Sequence, residues 1–140
     1  MAKAILFPVL ALVALTFAVG VRLYFVRVGA ARAGRVKVKD FRLGESPEVP
    51  ADVALPNRNL MNLLEMPVLF YVVSLACYVT HAVDGTTLGL AWGFVALRLV
   101  HSAIHLTFNH VGARFAAFAA SNLVLLAMWI RLMVRVAWGD

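Results

Sequence analysis

Cysteine is almost missing from this chain: Cys77 is the only one in 140 residues. A disulfide framework and a cysteine-based metal site are therefore excluded, and a lone thiol in an apolar run reads as a small buried hydrophobe. Charge is also scarce, at 14% of residues against 63% hydrophobic, and mean hydropathy is +0.87. Such a composition excludes a soluble globular fold and describes one membrane domain covering residues 1–140. Acidic residues are fewest, 7 against 13 lysines and arginines, for a net charge of +6. No basic stripe is interleaved with surface aromatics, so nucleic acid is not an expected partner and the basic residues set topology instead. Internal repeats and low-complexity tracts are missing too.

What is present is a set of long apolar runs. Ala4 to Val21 carries no charge, and the run continues past Arg22 to Val26, which gives a first span at about 4–28 rather than a cleaved leader. Residues 29–55 form the one long connection, rich in glycine and proline. Its basic residues Arg32, Arg35, Lys37, Lys39 and Arg42 cluster toward its start, and the acidic Asp40, Glu45, Glu48 and Asp52 toward its end. The connection around Asp84-Gly85 has no basic residue, so the positive-inside rule puts 29–55 on the cytoplasmic side. Further spans follow at about 56–80, 87–109 and 113–136. Pro56 suits a helix start, and Pro67 should bend the second span just after Glu65. The third span must carry Arg98 and His101 into the bilayer and end near Asn109. Arg131 and Arg135, near the outer end of the fourth, run against the positive-inside trend. The reading is an all-α integral membrane protein, a four-transmembrane-helix bundle with both termini outside.

Polar residues inside these spans follow a pattern. Arg58, Asn62 and Glu65 share one face of the second span, and Arg98, His101, His105 and Asn109 share one face of the third. Antiparallel spans place Asn62 level with His105 and Glu65 level with His101 and Arg98, which predicts a Glu65–Arg98 ion pair. Three uses of this belt stay open: polar glue between helices, a metal or haem on the His101–His105 pair, or an anion site. No third ligand supports a metal. Arg58, Arg98 and Arg114 with Asn62 and Asn109 offer many donors and few acceptors, which suits a ligand carrying several carboxylates.

Arg58-x3-Asn62-x2-Glu65 on the second span, followed by Arg98-x6-His105 and Arg114, resembles the membrane-associated proteins in eicosanoid and glutathione metabolism (the MAPEG family). The resemblance covers roughly residues 5 to 136 and is that of a divergent, bacterial member. It implies a homotrimer of four-helix protomers in the cell membrane, a bacterial inner membrane, with glutathione as co-substrate between subunits near the cytoplasmic side. Carried over by position, it implies that Arg58, Asn62 and Glu65 hold the glutathione backbone, Arg98 buttresses Glu65, and His101 and Asn109 belong to the same pocket. Arg114 would stabilise the thiolate. Arg32, or Arg27, would supply the basic residue at the end of the first span. Where the eicosanoid enzymes carry a tyrosine, this chain has His105. It can hydrogen-bond glutathione or a thiolate but matches a phenol in neither geometry nor acidity, so eicosanoid synthesis is not expected. The implied activity is a glutathione-dependent transferase or peroxidase acting on lipophilic electrophiles from the bilayer. The alternative is a non-catalytic ligand-binding or assembly protein that keeps the fold. A proton-coupled drug exporter fits less well, because its carboxylate would stand unpaired on the first span.

Overall fold

The computed structural model describes residues 2–139 and is all helical. A short 3-10 turn, Ala2–Ile5, runs into α1 (Leu6–Arg32); then come α2 (Ala51–Leu64), α3 (Pro67–Val79), α4 (Gly85–Leu106) and α5 (Val111–Trp138). Four helices are long and apolar enough to cross a membrane: Ala2–Arg32, Ala51–Val79, Gly85–Leu106 and Val111–Trp138. Among the described residues there is no strand, as expected of a chain in hydrocarbon, where each backbone donor and acceptor must be satisfied within its own segment.

The second span departs from expectation at both ends of its first half. It begins at Ala51 rather than Pro56, because Pro50, in extended backbone, accepts the first turn's N–H groups from Val53 and Ala54 at 3.0 Å. Pro56 then falls in the second turn, where it withholds a donor from the carbonyl of Asp52 without ending the helix. The 29–55 connection shrinks accordingly to residues 33–50. Gly34, at φ +70°, turns the chain after α1. A second 3-10 turn, Val38–Phe41, is held against α1 by Arg27, whose guanidinium lies 4.5 Å over the Phe41 ring and bonds Glu45 at 3.2 Å.

At Glu65 the helix breaks outright instead of bending. The backbone there sits at φ −90°, ψ −101°, and Pro67 has no N–H to give to the carbonyl one turn back. The third span also ends early. Helix α4 stops at Leu106, and Asn109 leaves the helical face at φ +46°, with its N–H bonded to the Ile104 carbonyl at 2.8 Å. Asparagine is one of the few side chains that tolerate this left-handed backbone.

Helices α4 and α5 form the most extensive pairing. Phe70 of α3 stacks on Phe94 of α4 with centroids 4.6 Å apart, and Leu12, Leu63, Leu125 and Met128 fill the space around them. Lipid tails are as apolar as these side chains, so close packing, not water exclusion, holds the interior. Cys77 is buried at the edge of this core. At the end of the bundle away from the 33–50 connection, Asp84 accepts hydrogen bonds from both Arg131 and Arg135. That pairing accounts for the two basic residues that ran against the topology rule.

Candidate functional site

A cavity of about 430 Å³ opens between α2, α4 and the first turns of α5. Arg58 and Asn62 line it from α2, His101 and His105 from α4, Asn109 from the turn, and Arg114 from α5, with Phe115 and Phe118 as its apolar wall. The structure thus gathers six residues singled out from the sequence into one cleft. Arg32, at the end of α1, is exposed and does not reach it. Glu65 and Arg98 do not line it either.

The positions of Glu65 and Arg98 follow from the broken helix. Unwinding at Glu65 turns its side chain off the inward face, and it is exposed on the protomer. No ion pair joins it to Arg98 among the described residues, which corrects the expected pairing. Arg98 is instead fully buried behind the cavity, donates to the main-chain carbonyl of Asn62, and lies with its guanidinium 5.7 Å from the Phe118 ring centroid and 5.9 Å from that of Phe94. Pro67 and the turned backbone leave the end of α2 short of amide donors, and Arg98 supplies one. Its role is to brace the unwound end of α2 beneath the site.

Most of the other polar lining residues are held by a neighbour. The Asn62 amide donates back to the Arg58 carbonyl at 3.0 Å, one turn away. Arg114 donates to Asn109 Oδ1 at 2.5 Å, so the left-handed turn aims that guanidinium. The carbonyl of Arg114 pairs with His101 Nδ1 at 3.1 Å. A carbonyl can only accept, so the His101 proton is on Nδ1.

His105 has the opposite tautomer. Its Nδ1 lies 3.2 Å from the side-chain nitrogen of Asn59, a fully buried residue of α2. An amide nitrogen can only donate, so His105 accepts at Nδ1 and carries its proton on Nε2. The rings of the two histidines sit 5.7 Å apart, edge to face. Asn59 escaped the sequence reading because it lies off the Arg58–Asn62–Glu65 face. Its signal was a third amide or guanidinium side chain within one turn of an apolar span, a costly placement unless it meets a partner.

Taken together, the lining offers two guanidiniums, two amides and two imidazoles, and no carboxylate. That set has the chemistry to suit an anion, and Phe115 and Phe118 give the cleft an apolar wall. Among the described residues no three His, Cys, Asp or Glu side chains converge as metal ligands.

No curated protein and no solved structure matches the chain. The family model that does match is that of the MAPEG family, and it aligns with residues 5–134, from the start of the first span to within a turn of the end of the last. A match that spans all four membrane helices and every residue lining the cavity leaves one assignment: the chain belongs to the MAPEG family.

Proposed function

We propose that this protein is a glutathione-dependent transferase or peroxidase acting on lipophilic electrophiles, and that it works as a homotrimer in the cell membrane with its 33–50 connection on the cytoplasmic side. The observation that carries this reading is the cavity's charge: Arg58 and Arg114 line it without any acidic residue. Glutathione brings two carboxylates and a thiol. Arg58 and Asn62 would take the carboxylates, and Glu65, on the outer surface of the protomer, is free to meet the ammonium at a subunit boundary.

Free thiols ionise near pH 8.5, and a guanidinium beside the sulfur favours the thiolate, the nucleophilic form. Arg114, aimed by Asn109, serves that purpose. His105, with its proton on Nε2, would donate a second hydrogen bond to the sulfur. In conjugation the thiolate sulfur forms a bond to the electrophilic carbon, and the leaving group departs with the bonding pair. In peroxide reduction two glutathiones give one disulfide, and the hydroperoxide leaves as alcohol and water. Holding thiolate and electrophile together in a cleft open to the bilayer supplies the remaining rate.

The test is thiol conjugation to a chlorodinitrobenzene and reduction of a lipid hydroperoxide by purified protein. Activity is expected in the wild type and a fall of at least about tenfold in Arg114→Ala, the loss that follows from one charge-assisted hydrogen bond. Absence of both activities in a folded protein that still binds glutathione would leave the second reading, a binding protein without turnover. That reading draws on His105, an imidazole where the eicosanoid enzymes have a phenol.

A further inference from the structure

A second cavity, of about 480 Å³, lies between α4 and α5 at the opposite end of the bundle from the first. Its polar part is built around Asp84, which caps α4. One carboxylate oxygen accepts the Thr87 N–H at 2.8 Å, and the other accepts both Arg131 and, at 2.6 Å, Arg135. The Thr87 backbone bond, reinforced by Arg131, holds the Asp84 carboxyl well below the usual carboxylate range, so it stays ionised. Even so, one carboxylate faces two guanidiniums. Arg131 uses Nε on the Thr87 hydroxyl and one terminal nitrogen on Asp84, and Arg135 uses one terminal nitrogen. The remaining nitrogen of Arg131 and two of Arg135 have no partner among the described residues, and both side chains line the cavity.

The rest of the lining is apolar and has a direction. Ala127, Ile130 and Val134 lie on the face of α5 that carries the two arginines, and Leu90 of α4 faces them. From Arg135 at the helix end to Ala127 the groove runs about 12 Å along the axis, toward the middle of the membrane. Ile130 and Val134 are each 48% exposed, so the strip is open from the side. A cationic head at headgroup depth above an apolar trough fits a ligand with an anionic head and a hydrocarbon tail.

Among the described residues, another copy of this chain offers no free carboxylate at that level. Of the seven acidic residues, Asp40, Glu45, Glu48 and Asp52 lie in or beside the connection at the other end, Glu65 is at mid-span, and Asp84 is fully engaged. Only Asp140, at the chain end, is left. We propose that the α4–α5 cavity binds an anionic phospholipid, its phosphate on Arg131 and Arg135 and an acyl chain along Leu90, Ile130 and Ala127. The site is separate from the glutathione reading and stands whether or not that reading holds. The shared recognition chemistry is a phosphate oxyanion, which a free phosphate also presents.

The full chain in detergent is titrated with phosphatidylglycerol or phosphatidylcholine of matched acyl chains and read by native mass spectrometry, while inorganic phosphate is titrated in parallel by thermal shift. Phosphatidylglycerol should be retained in preference, and the preference should fall about tenfold in Arg135→Gln, as expected for one lost charge-assisted contact. Ala127→Trp, which fills the trough and leaves the Asp84 cluster intact, should also release the lipid. Arg135→Lys keeps the charge and should retain part of the preference, which separates lost binding from lost folding. Equal retention of the two lipids by wild type overturns the proposal, as does a preference that both Arg135→Gln and Ala127→Trp keep. Stabilisation by inorganic phosphate that matches phosphatidylglycerol and survives Ala127→Trp overturns the lipid in favour of a free anion.

Discussion

Replacing Asn59 tests the chemistry of the cavity without touching a residue that lines it. Asn59 is fully buried and makes a 3.2 Å contact to His105 Nδ1, which sets the proton on Nε2. Asn59→Leu removes that bond and keeps the branched shape. A neutral hydrogen bond contributes about 1 kcal/mol, so its loss should shift the tautomer ratio by roughly fivefold toward an Nδ1–H mixture. Asn59→Asp goes further: a carboxylate only accepts, so it should reverse the tautomer and point a lone pair, not a proton, at the thiolate. The readout is the pair of ring ¹⁵N shifts of selectively labelled histidine, assigned with His105→Gln. The rate of thiol conjugation should fall in the order wild type, Asn59→Leu, Asn59→Asp. Wild-type protein with its His105 proton on Nδ1, or an Asn59→Asp protein that keeps it on Nε2, would refute the reasoning whatever the rates.

Further predictions come from the packing and from the far end of the bundle. The Asp84 carboxyl is depressed in the folded state, most strongly by the Thr87 N–H, so its stabilisation is present above the unfolded value near 3.9 and is lost as pH falls through the folded value. Asp84→Asn keeps an N-cap acceptor but removes the charge that faces Arg131 and Arg135, so it should melt below wild type at pH 7 by on the order of 1 kcal/mol, and thermal melts should show the gap closing below about pH 4. Phe94→Ala removes one partner of the 4.6 Å stack with Phe70 and should destabilise the protomer by about 3 kcal/mol, seen as a lower Tm in detergent. Pro67→Ala returns an N–H to the break and should let α2 and α3 join. The Asn62 carbonyl would then release Arg98, and glutathione affinity should weaken several-fold by calorimetry.

Local features were the most legible part of the fold. Apolar runs placed all four spans, the second and third only by carrying Glu65, Arg98 and His101 into the bilayer, because crossing hydrocarbon demands length above all. The cleft was legible as well: residues at spacings of three and four share a face, and Asn62 and His105 do meet in one cavity. What escaped depended on backbone detail or distance in sequence. Glu65 was expected on the inner face because a continuous helix would put it there. A break at Glu65 and a missing donor at Pro67 changed its direction and gave Arg98 a carbonyl in place of a carboxylate. Asn109 was counted on the α4 face, yet the helix ends at Leu106 and Asn109 reaches the cavity from a left-handed turn. Arg131 and Arg135 looked misplaced because Asp84, their partner, lies 47 and 51 residues away in the chain.

The most direct test of the central claim, that the carboxylate-free cleft is a glutathione site, is the Tm of the detergent-solubilised protein with and without millimolar glutathione, beside Arg58→Ala and Arg114→Ala. A ligand at about 100 times its Kd stabilises the native state by roughly 2.7 kcal/mol, a readable shift. The account predicts a rise in wild type that both variants lose while their ligand-free Tm stays near that of wild type. No rise in wild type, or an equal rise in all three proteins, would contradict it.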